Sequence, residues 1–195
     1  MTATNGDPVG TPERLRTTRV AVFDDLLEPA FATEAGRWLH HRDDQLVRHG
    51  DLPGLERFSW ELPDVDEACP HLAPLRAAVL ERLAEVDPGL EVEALDVHAS
   101  LHHAGGHAVK MTRDTDEDPS RRWAWSYFLH TEPVMFSGGE LEFLDGKRVD
   151  PKTNRLAIYP ADVPRRIRRV SCWGREALHG RWAFYGWAHG KDLTT

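Results

Sequence analysis

The chain has 195 residues and a mass of 22.1 kDa, the size of one ordinary domain with a substantial core. Its net charge of −8 excludes a general nucleic-acid binder, because phosphate affinity needs a basic surface. Two widely separated cysteines argue against a disulfide framework or a cysteine metal site. The sequence contains no membrane-length apolar run and no secretory signal, so we expect a cytoplasmic protein that does not bind membranes.

The first half of the chain is predicted to contain a flexible tail, a short strand and two helices. Residues 1–18 are polar and rich in Thr, Gly and Pro, which is typical of a tail, and residues 19–195 are expected to form a single domain. Residues 19–23 read as a strand. Residues 29–39 and 70–86 place apolar side chains at helical spacing, and an Asp-Pro-Gly stop follows the second helix.

From residue 90 onward the sequence consists of short alternating segments separated by Gly, Pro and Asp. Together with one earlier segment that reads as an exposed strand, the predicted strands cover residues 56–62, 95–101, 123–130, 140–144, 156–159 and 182–187. Several short strands at regular spacing favour a sandwich or barrel. The sequence therefore predicts a mainly β protein of the α+β class, with helices in residues 29–87 packed against a jelly roll.

Four segments occur in the order that is found in a known family. They are residues 127–130 (YFLH), 137–141 (SGGEL), 151–160 (PKTNRLAIYP) and 180–187 (GRWAFYGW). With them the chain resembles the 2-oxoglutarate/Fe(II)-dependent oxygenase superfamily, in its prolyl 4-hydroxylase-like branch. The resemblance covers most of the chain, is weakest between residues 40 and 70, and implies a double-stranded β-helix, which is a cupin-like jelly-roll barrel.

The resemblance also implies a metal site whose ligands are missing at the expected positions. The family binds iron through a His-x-Asp pair on one strand and a later His, which leaves room for 2-oxoglutarate and oxygen. Counting from residues 105–107 (GGH) places Met111 at the first His and Arg113 at the Asp, and counting from residues 159–160 places Arg165 at the distal His. A thioether is a weak ligand and a guanidinium is a permanent cation. We therefore expect no metal ion and no cofactor.

The resemblance assigns Arg181 to the arginine that pairs with the distal carboxylate of 2-oxoglutarate. If Arg113 and Arg165 also point into the barrel, the cavity would bind an anionic small molecule, preferably a dianion or a phosphorylated one. The predicted ligand-binding residues are Arg181, Arg165, Arg113, Met111, Tyr127 and Trp187, and the candidates for metal-free catalysis are Arg113, Arg165 and Tyr127. Such catalysis would stabilise an enolate or oxyanion, in specialised metabolism by analogy with relatives.

Two alternatives stay open. In one, side chains fill the barrel, Arg113 and Arg165 pair with acidic residues of 114–118, and the protein is a structural partner of a catalytic relative or a homodimer. In the other, iron and 2-oxoglutarate bind at relocated ligands, with candidates His102, His103, His107, Asp114, Asp116 and Asp118. We interpret these residues instead as a polar loop, because a slip of one residue turns Asp114 to the opposite face of the strand. No Ser-His-Asp arrangement can be placed in the sequence.

Overall fold

The architecture of the chain combines helices with antiparallel sheets. The computed structural model describes residues 18–50, 57–62, 65, 69 and 72–192, so the predicted tail lies, apart from Thr18, outside the described residues. Helix α1 spans Pro29–His40 and helix α2 spans Leu72–Val86. Pro29 suits the first turn of α1, where its missing N–H has no partner to lose. Within the described part of the chain, no helix is long and apolar enough to cross a membrane.

The strands are short and are numbered in chain order. Their bounds are β1 Ala21–Phe23, β2 Val47–His49, β3 Arg57–Leu62, β4 Leu90–Leu95, β5 His98–His102, β6 His107–Thr112, β7 Arg121–Leu129, β8 Phe136–Gly138, β9 Leu141–Phe143, β10 Arg148–Val149, β11 Arg155–Pro160, β12 Arg165–Ile167, β13 Val170–Cys172 and β14 Arg181–Asp192. Short single turns of 3-10 helix occupy Asp43–Gln45, Asp114–Asp116 and Ala177–His179.

The strands form two sheets that share β3. One sheet has the order β1-β11-β7-β14-β5-β3, and the other continues from β3 through β6, β12, β9 and β10. Strands β2 and β4 extend the first sheet by pairing with β3 and β14, and β8 pairs with β13 in a separate two-stranded sheet. All the pairings are antiparallel, so the strands close a jelly roll in which the two sheets face each other across an interior.

Two apolar clusters stabilise this arrangement. The larger lies between the helices and the first sheet, and it includes Leu39, Leu75 and Val79 from the helices with Trp125 and Trp182 from the sheet. The smaller lies inside the barrel and is built around Phe128, Phe143 and Tyr159. Because side chains alternate along a strand, β7, β11 and β14 each contribute to both clusters, and this alternation decides which of their residues face the barrel interior.

The predicted mainly β jelly roll with N-terminal helices is confirmed. The prediction for residues 95–101 was wrong in one respect, since this segment is split between β4 and β5 at Asp96–Val97. The Asp96 backbone N–H donates instead to the Trp187 carbonyl, across a close approach to Gly186. Residues 56–62 were expected to be an exposed strand, and residue 56 lies outside the described residues. Strand β3 is instead central, because Ser59 and Leu62 are buried where it joins the two sheets.

Candidate functional site

Strand β14 supplies the deepest polar side chain of the barrel. Its residues Arg181, Ala183, Tyr185 and Trp187 line an interior cavity, whereas the intervening Trp182 and Phe184 belong to the helix-facing core. Ala108 and Thr112 of β6 also line the cavity, as do Arg165 and Ile167 of β12. The cavity is therefore a product of strand alternation, with one set of side chains from each sheet.

The cavity has a volume of about 60 Å³. Hydroxyl groups and charged side chains make up much of its wall. The polar residues that line it are Ser59, Glu61, Ser100, His102, Thr112, Arg113, Asp114, Glu117, Ser126, Arg165, Arg181 and Tyr185. Ala108, Leu141, Ile167 and Ala183, with Trp187, supply its apolar surface.

An ion pair between Asp114 and Arg165 occupies one side of the cavity. Arg165 Nε donates to Asp114 Oδ2 at 3.1 Å, and Nη2 donates to Oδ1 at 2.8 Å, so both carboxylate oxygens are engaged. The two side chains are only 13% and 9% exposed. Burial lowers the pKa of Arg165, but the Asp114 carboxylate raises this pKa by more, so that it lies above the ordinary value for arginine. The charges of this pair cancel within the cavity wall.

Arg181 is the other buried cation of the cavity, and it is 1% exposed. Its side chain passes close to Gly139, where an added Cβ would lie 2.6 Å from Arg181 Cδ, so the glycine makes room for the arginine. Its Cζ lies 4.8 Å from the centre of the Phe128 ring, and its Nη1 lies 3.4 Å from His102 Nδ1. Burial lowers the pKa of Arg181 to about 10, and the charge of Arg165 acts in the same direction.

Three buried donors that border the cavity have no hydrogen-bond partner in the described part of the protein. They are Arg181 Nε, Ser59 Oγ and Trp187 Nε1. Arg165 forms an ion pair with Asp114, whereas Arg181 forms no ion pair with any carboxylate that the structure describes. Buried polar groups in native proteins are normally satisfied by protein, water or ligand, so these three donors make the cavity the candidate site of the described chain.

Several predicted site residues occupy other places than expected. Arg113 is exposed and contributes only to the rim of the cavity, and Met111 points away from it because Thr112 takes the inward position on β6. Tyr127 faces the helices, where its hydroxyl donates to Asn154 Oδ1 at 2.7 Å, and burial raises its pKa. Met111 and Tyr127 were therefore wrongly placed in the cavity, whereas Arg165, Arg181 and Trp187 do line it.

The resemblance implied a metal site near residues 111–113 and 165, and at this place the structure brings Thr112, Asp114 and Arg165 together on one cavity wall. Thr112 and Arg165 lie opposite each other in the pairing of β6 with β12, and Asp114 follows Thr112 by the two residues of a His-x-Asp motif. Of the residues that the expected register assigned, Met111 does not line the cavity, whereas its neighbour Thr112 does. Asp114 was interpreted as part of a polar loop, but it is 7% exposed and faces the cavity. Counting from Gly106 instead of Gly105 would have found it.

These three residues do not fit an iron(II) ion. A guanidinium has no free electron pair for a metal, and a threonine hydroxyl is a poor substitute for an imidazole. The remaining carboxylate is already bound on both oxygens by Arg165. The donor set thus lacks both nitrogen ligands and offers a carboxylate that is compensated by a protein cation.

The relocated ligands also fail to converge. His102 lines the cavity, but His103 bonds the Glu176 carbonyl through Nε2 at 3.1 Å, and His107 bonds the Gly105 carbonyl. Asp116 is exposed and accepts from the backbone of the neighbouring turn. Among the residues that the structure describes, no three His, Cys, Asp or Glu side chains are grouped as a metal site would require.

A Ser-His-Asp arrangement, which the sequence did not reveal, lies on the protein surface. Ser120 Oγ is 2.7 Å from His189 Nδ1, and His189 Nε2 is 2.7 Å from Asp96 Oδ2. The Ser120 hydroxyl also donates to Asp118 Oδ1 at 2.7 Å, so its proton is directed to a carboxylate and not to the histidine. This geometry ties the turn before β7 to β14, and it does not provide an activated nucleophile.

The sequence matches one family model and a curated relative. Residues 96–189 match the model of the 2OG-Fe(II) oxygenase superfamily. Over 140 residues the chain is 24% identical to an uncharacterized PKHD-type hydroxylase of Synechocystis sp., and the match covers 60% of this chain and 46% of the relative. The chain therefore spans about half the length of this relative.

Solved structures with the same fold cover nearly the whole chain. A Pseudomonas putida prolyl-4-hydroxylase has a TM-score of 0.64 at 20% identity, with 90% of this chain and 94% of that chain covered. A prolyl hydroxylase from Trichoplax adhaerens has a TM-score of 0.66 at 13% identity, with 89% and 84% covered. The epimerase SnoN from nogalamycin biosynthesis has a TM-score of 0.63 at 12% identity, with 90% and 80% covered. These likenesses establish the double-stranded β-helix.

Proposed function

Given that this chain belongs, through residues 96–189, to the 2OG-Fe(II) oxygenase superfamily, we propose that it binds a small anion in the barrel cavity without a metal ion. The observation that carries the proposal is that three residues lining one cavity, Arg181, Ser59 and Trp187, each have a buried donor without a hydrogen-bond partner in the described part of the protein. Arginine and tryptophan side chains only donate hydrogen bonds, so an acceptor-rich group such as a carboxylate is their matching partner.

The charges of the cavity favour a ligand with one negative charge. Arg165 is neutralised by Asp114, and the exposed Glu117 pairs with Arg121. Arg181 is thus the buried cation of the cavity that lacks an ion-pair partner among the described residues, and a ligand would compensate it. The sequence led us to expect a dianion facing several arginines, and the ion pair supports the smaller charge. A buried cation without an ion-pair partner is costly, so an anion beside Arg181 would regain part of that free energy.

The size of the cavity favours a short ligand. A volume of about 60 Å³ corresponds to roughly four to six water-sized positions, at about 10–15 Å³ each. A carboxylate on a chain of a few carbon atoms is of this size. Ser100 and Ser126 lie in the same wall and would offer hydroxyl groups to a polar substituent.

The alternatives account for fewer of these observations. A barrel filled by compensated arginines fits Arg165 but leaves the burial of Arg181 without a cause. Iron chemistry with relocated ligands would need a cluster that the described residues do not form. Binding without metal accommodates both arginines, one compensated within the chain and one by the ligand.

The test is calorimetric titration of acetate, pyruvate, 2-oxoglutarate and phosphate, each with and without a chelator. We expect a monocarboxylate to bind with an affinity that the chelator does not change. Arg181→Ala should weaken that binding by about 10–100-fold, since a charge-assisted hydrogen bond contributes about 1.5–3 kcal/mol. Arg175→Ala removes an exposed arginine, and Tyr127→Phe alters the helix-facing core, so both should leave the affinity unchanged.

Two results would contradict the proposal. One is binding of 2-oxoglutarate that requires Fe(II) or Mn(II), with one ion per chain. The other is an Arg181→Ala variant, folded by circular dichroism, that binds the carboxylates as tightly as the unmodified protein. Thermal unfolding adds a separate criterion: in the absence of ligand, Arg181→Met should be neutral or stabilising because it removes a buried charge without a partner. A structural role for Arg181 would make this variant less stable.

A further inference from the structure

The ion pair between Asp114 and Arg165 lies where the family's fold would place a metal ion. Thr112 is the cross-strand partner of Arg165, and Asp114 is two residues further along the same segment. All three line one cavity, and Arg165 contacts both oxygens of the Asp114 carboxylate. The site thus contains the Asp114 carboxylate together with a cation, Arg165, that the chain itself supplies.

We infer that Arg165 is an internal replacement for the metal, so that its guanidinium neutralises Asp114 in the way that a divalent ion would. A buried carboxylate is stable only with a compensating cation. The planar guanidinium matches both carboxylate oxygens and keeps its charge throughout the physiological pH range. The Tyr159 ring, whose centre lies 5.4 Å from Arg165 Cζ, supports the guanidinium from one side.

This inference has a consequence for metal binding. While Arg165 is present, its positive charge repels a divalent ion and its hydrogen bonds occupy the only carboxylate of the trio. Residues paired across antiparallel strands have Cα atoms about 4.5–5.5 Å apart, and their side chains share one face. Histidines at positions 112 and 165 could therefore direct their imidazoles to one ion beside Asp114. Two substitutions, Thr112→His and Arg165→His, should convert the ion pair into a metal site.

The experiment is titration of Co²⁺, followed by calorimetry and by the rise in unfolding temperature, in four proteins. These are the unmodified chain, Arg165→His alone, the double variant Thr112→His/Arg165→His, and the double variant with Asp114→Asn as the matched control. We expect the double variant to bind one ion per chain. Loss of a residue that supports a metal ligand typically lowers metal affinity by roughly 10–100-fold, and loss of a ligand itself should lower it at least as much. The single variant and the Asn control should therefore bind at least about 10-fold more weakly.

The inference is overturned if the unmodified chain binds one Co²⁺ with an affinity within about 10-fold of the double variant. It is also overturned if the Asn control binds as tightly as the double variant, because Asp114 would then not be a ligand. Should the double variant fail to fold, Arg165→Met provides the decision. Millimolar Co²⁺ should raise the unfolding temperature of Arg165→Met but not that of Arg165→Met/Asp114→Asn. Equal shifts of the unfolding temperature in these two variants refute the inference. None of these readouts depends on which anion binds beside Arg181.

Discussion

Replacing Arg165 with methionine should destabilise the protein strongly. Methionine retains most of the apolar volume of the arginine stem but removes the cation from a carboxylate that is 7% exposed. Asp114 would lose both of its side-chain hydrogen bonds, at 2.8 and 3.1 Å. Breaking a buried ion pair from one side costs about 3–5 kcal/mol. For a domain of this size, that loss lowers the unfolding temperature by about 6–20 °C, at about 2–4 °C per kcal/mol.

Chemical and thermal unfolding at neutral pH measure this effect, with Lys191→Met as the matched control. Lys191 pairs with Glu93 at 2.5 Å, but their side chains are 76% and 50% exposed. Removing that surface pair should change the stability little, because solvent screens exposed charges. The double variant Arg165→Met/Asp114→Asn should recover most of the loss, because neither charge then remains buried alone.

The reasoning is refuted if Arg165→Met destabilises the protein no more than Lys191→Met does. It is also refuted if the double variant is as unstable as the sum of the two single variants. The first result would mean that Asp114 finds water or another cation when Arg165 is absent, and the second that the two side chains act independently.

Two further predictions concern the neighbourhood of Arg181. Gly139→Ala should cost about 2–4 kcal/mol of stability and weaken anion binding, because the residue has φ +79° and its Cβ would meet the Arg181 side chain. The control Gly146→Ala, at φ +82° but with open space around the Cβ, should cost only about 1 kcal/mol. Equal losses of stability in the two variants would contradict the packing argument. Burial, together with the charge of Arg181, lowers the pKa of His130 from 6.5 to about 4. Between these values the unfolded chain holds more protons than the folded one, so stability should fall by up to about 3 kcal/mol as pH drops through this range. His130→Asn should remove that part of the pH dependence in urea unfolding, and an unchanged pH profile would show that His130 is not responsible.

Local patterns in the sequence predicted much of the fold. The helix at residues 29–39 corresponds to α1, which ends at His40, and the strands at residues 123–130 and 156–159 correspond to β7 and β11. These elements have strong apolar periodicity over several residues, so neighbours along the chain suffice to identify them. Strands such as β8, β10 and β12 have only two or three residues, and their pairing partners define them more than their composition does.

The sequence by itself determined that no histidine stands at residues 108–129 or 131–178, which include positions 111–113 and 165. Only the tertiary structure decided that Asp114 faces the cavity and pairs with Arg165. A shift of one residue exchanges the two faces of a strand, and the register of β6 is fixed by its pairing with β12, about 50 residues later in the chain. The same alternation turned Tyr127 towards the helices and Arg181 towards the interior. The charge of the cavity thus depends on contacts between distant segments, which neither composition nor local spacing specifies.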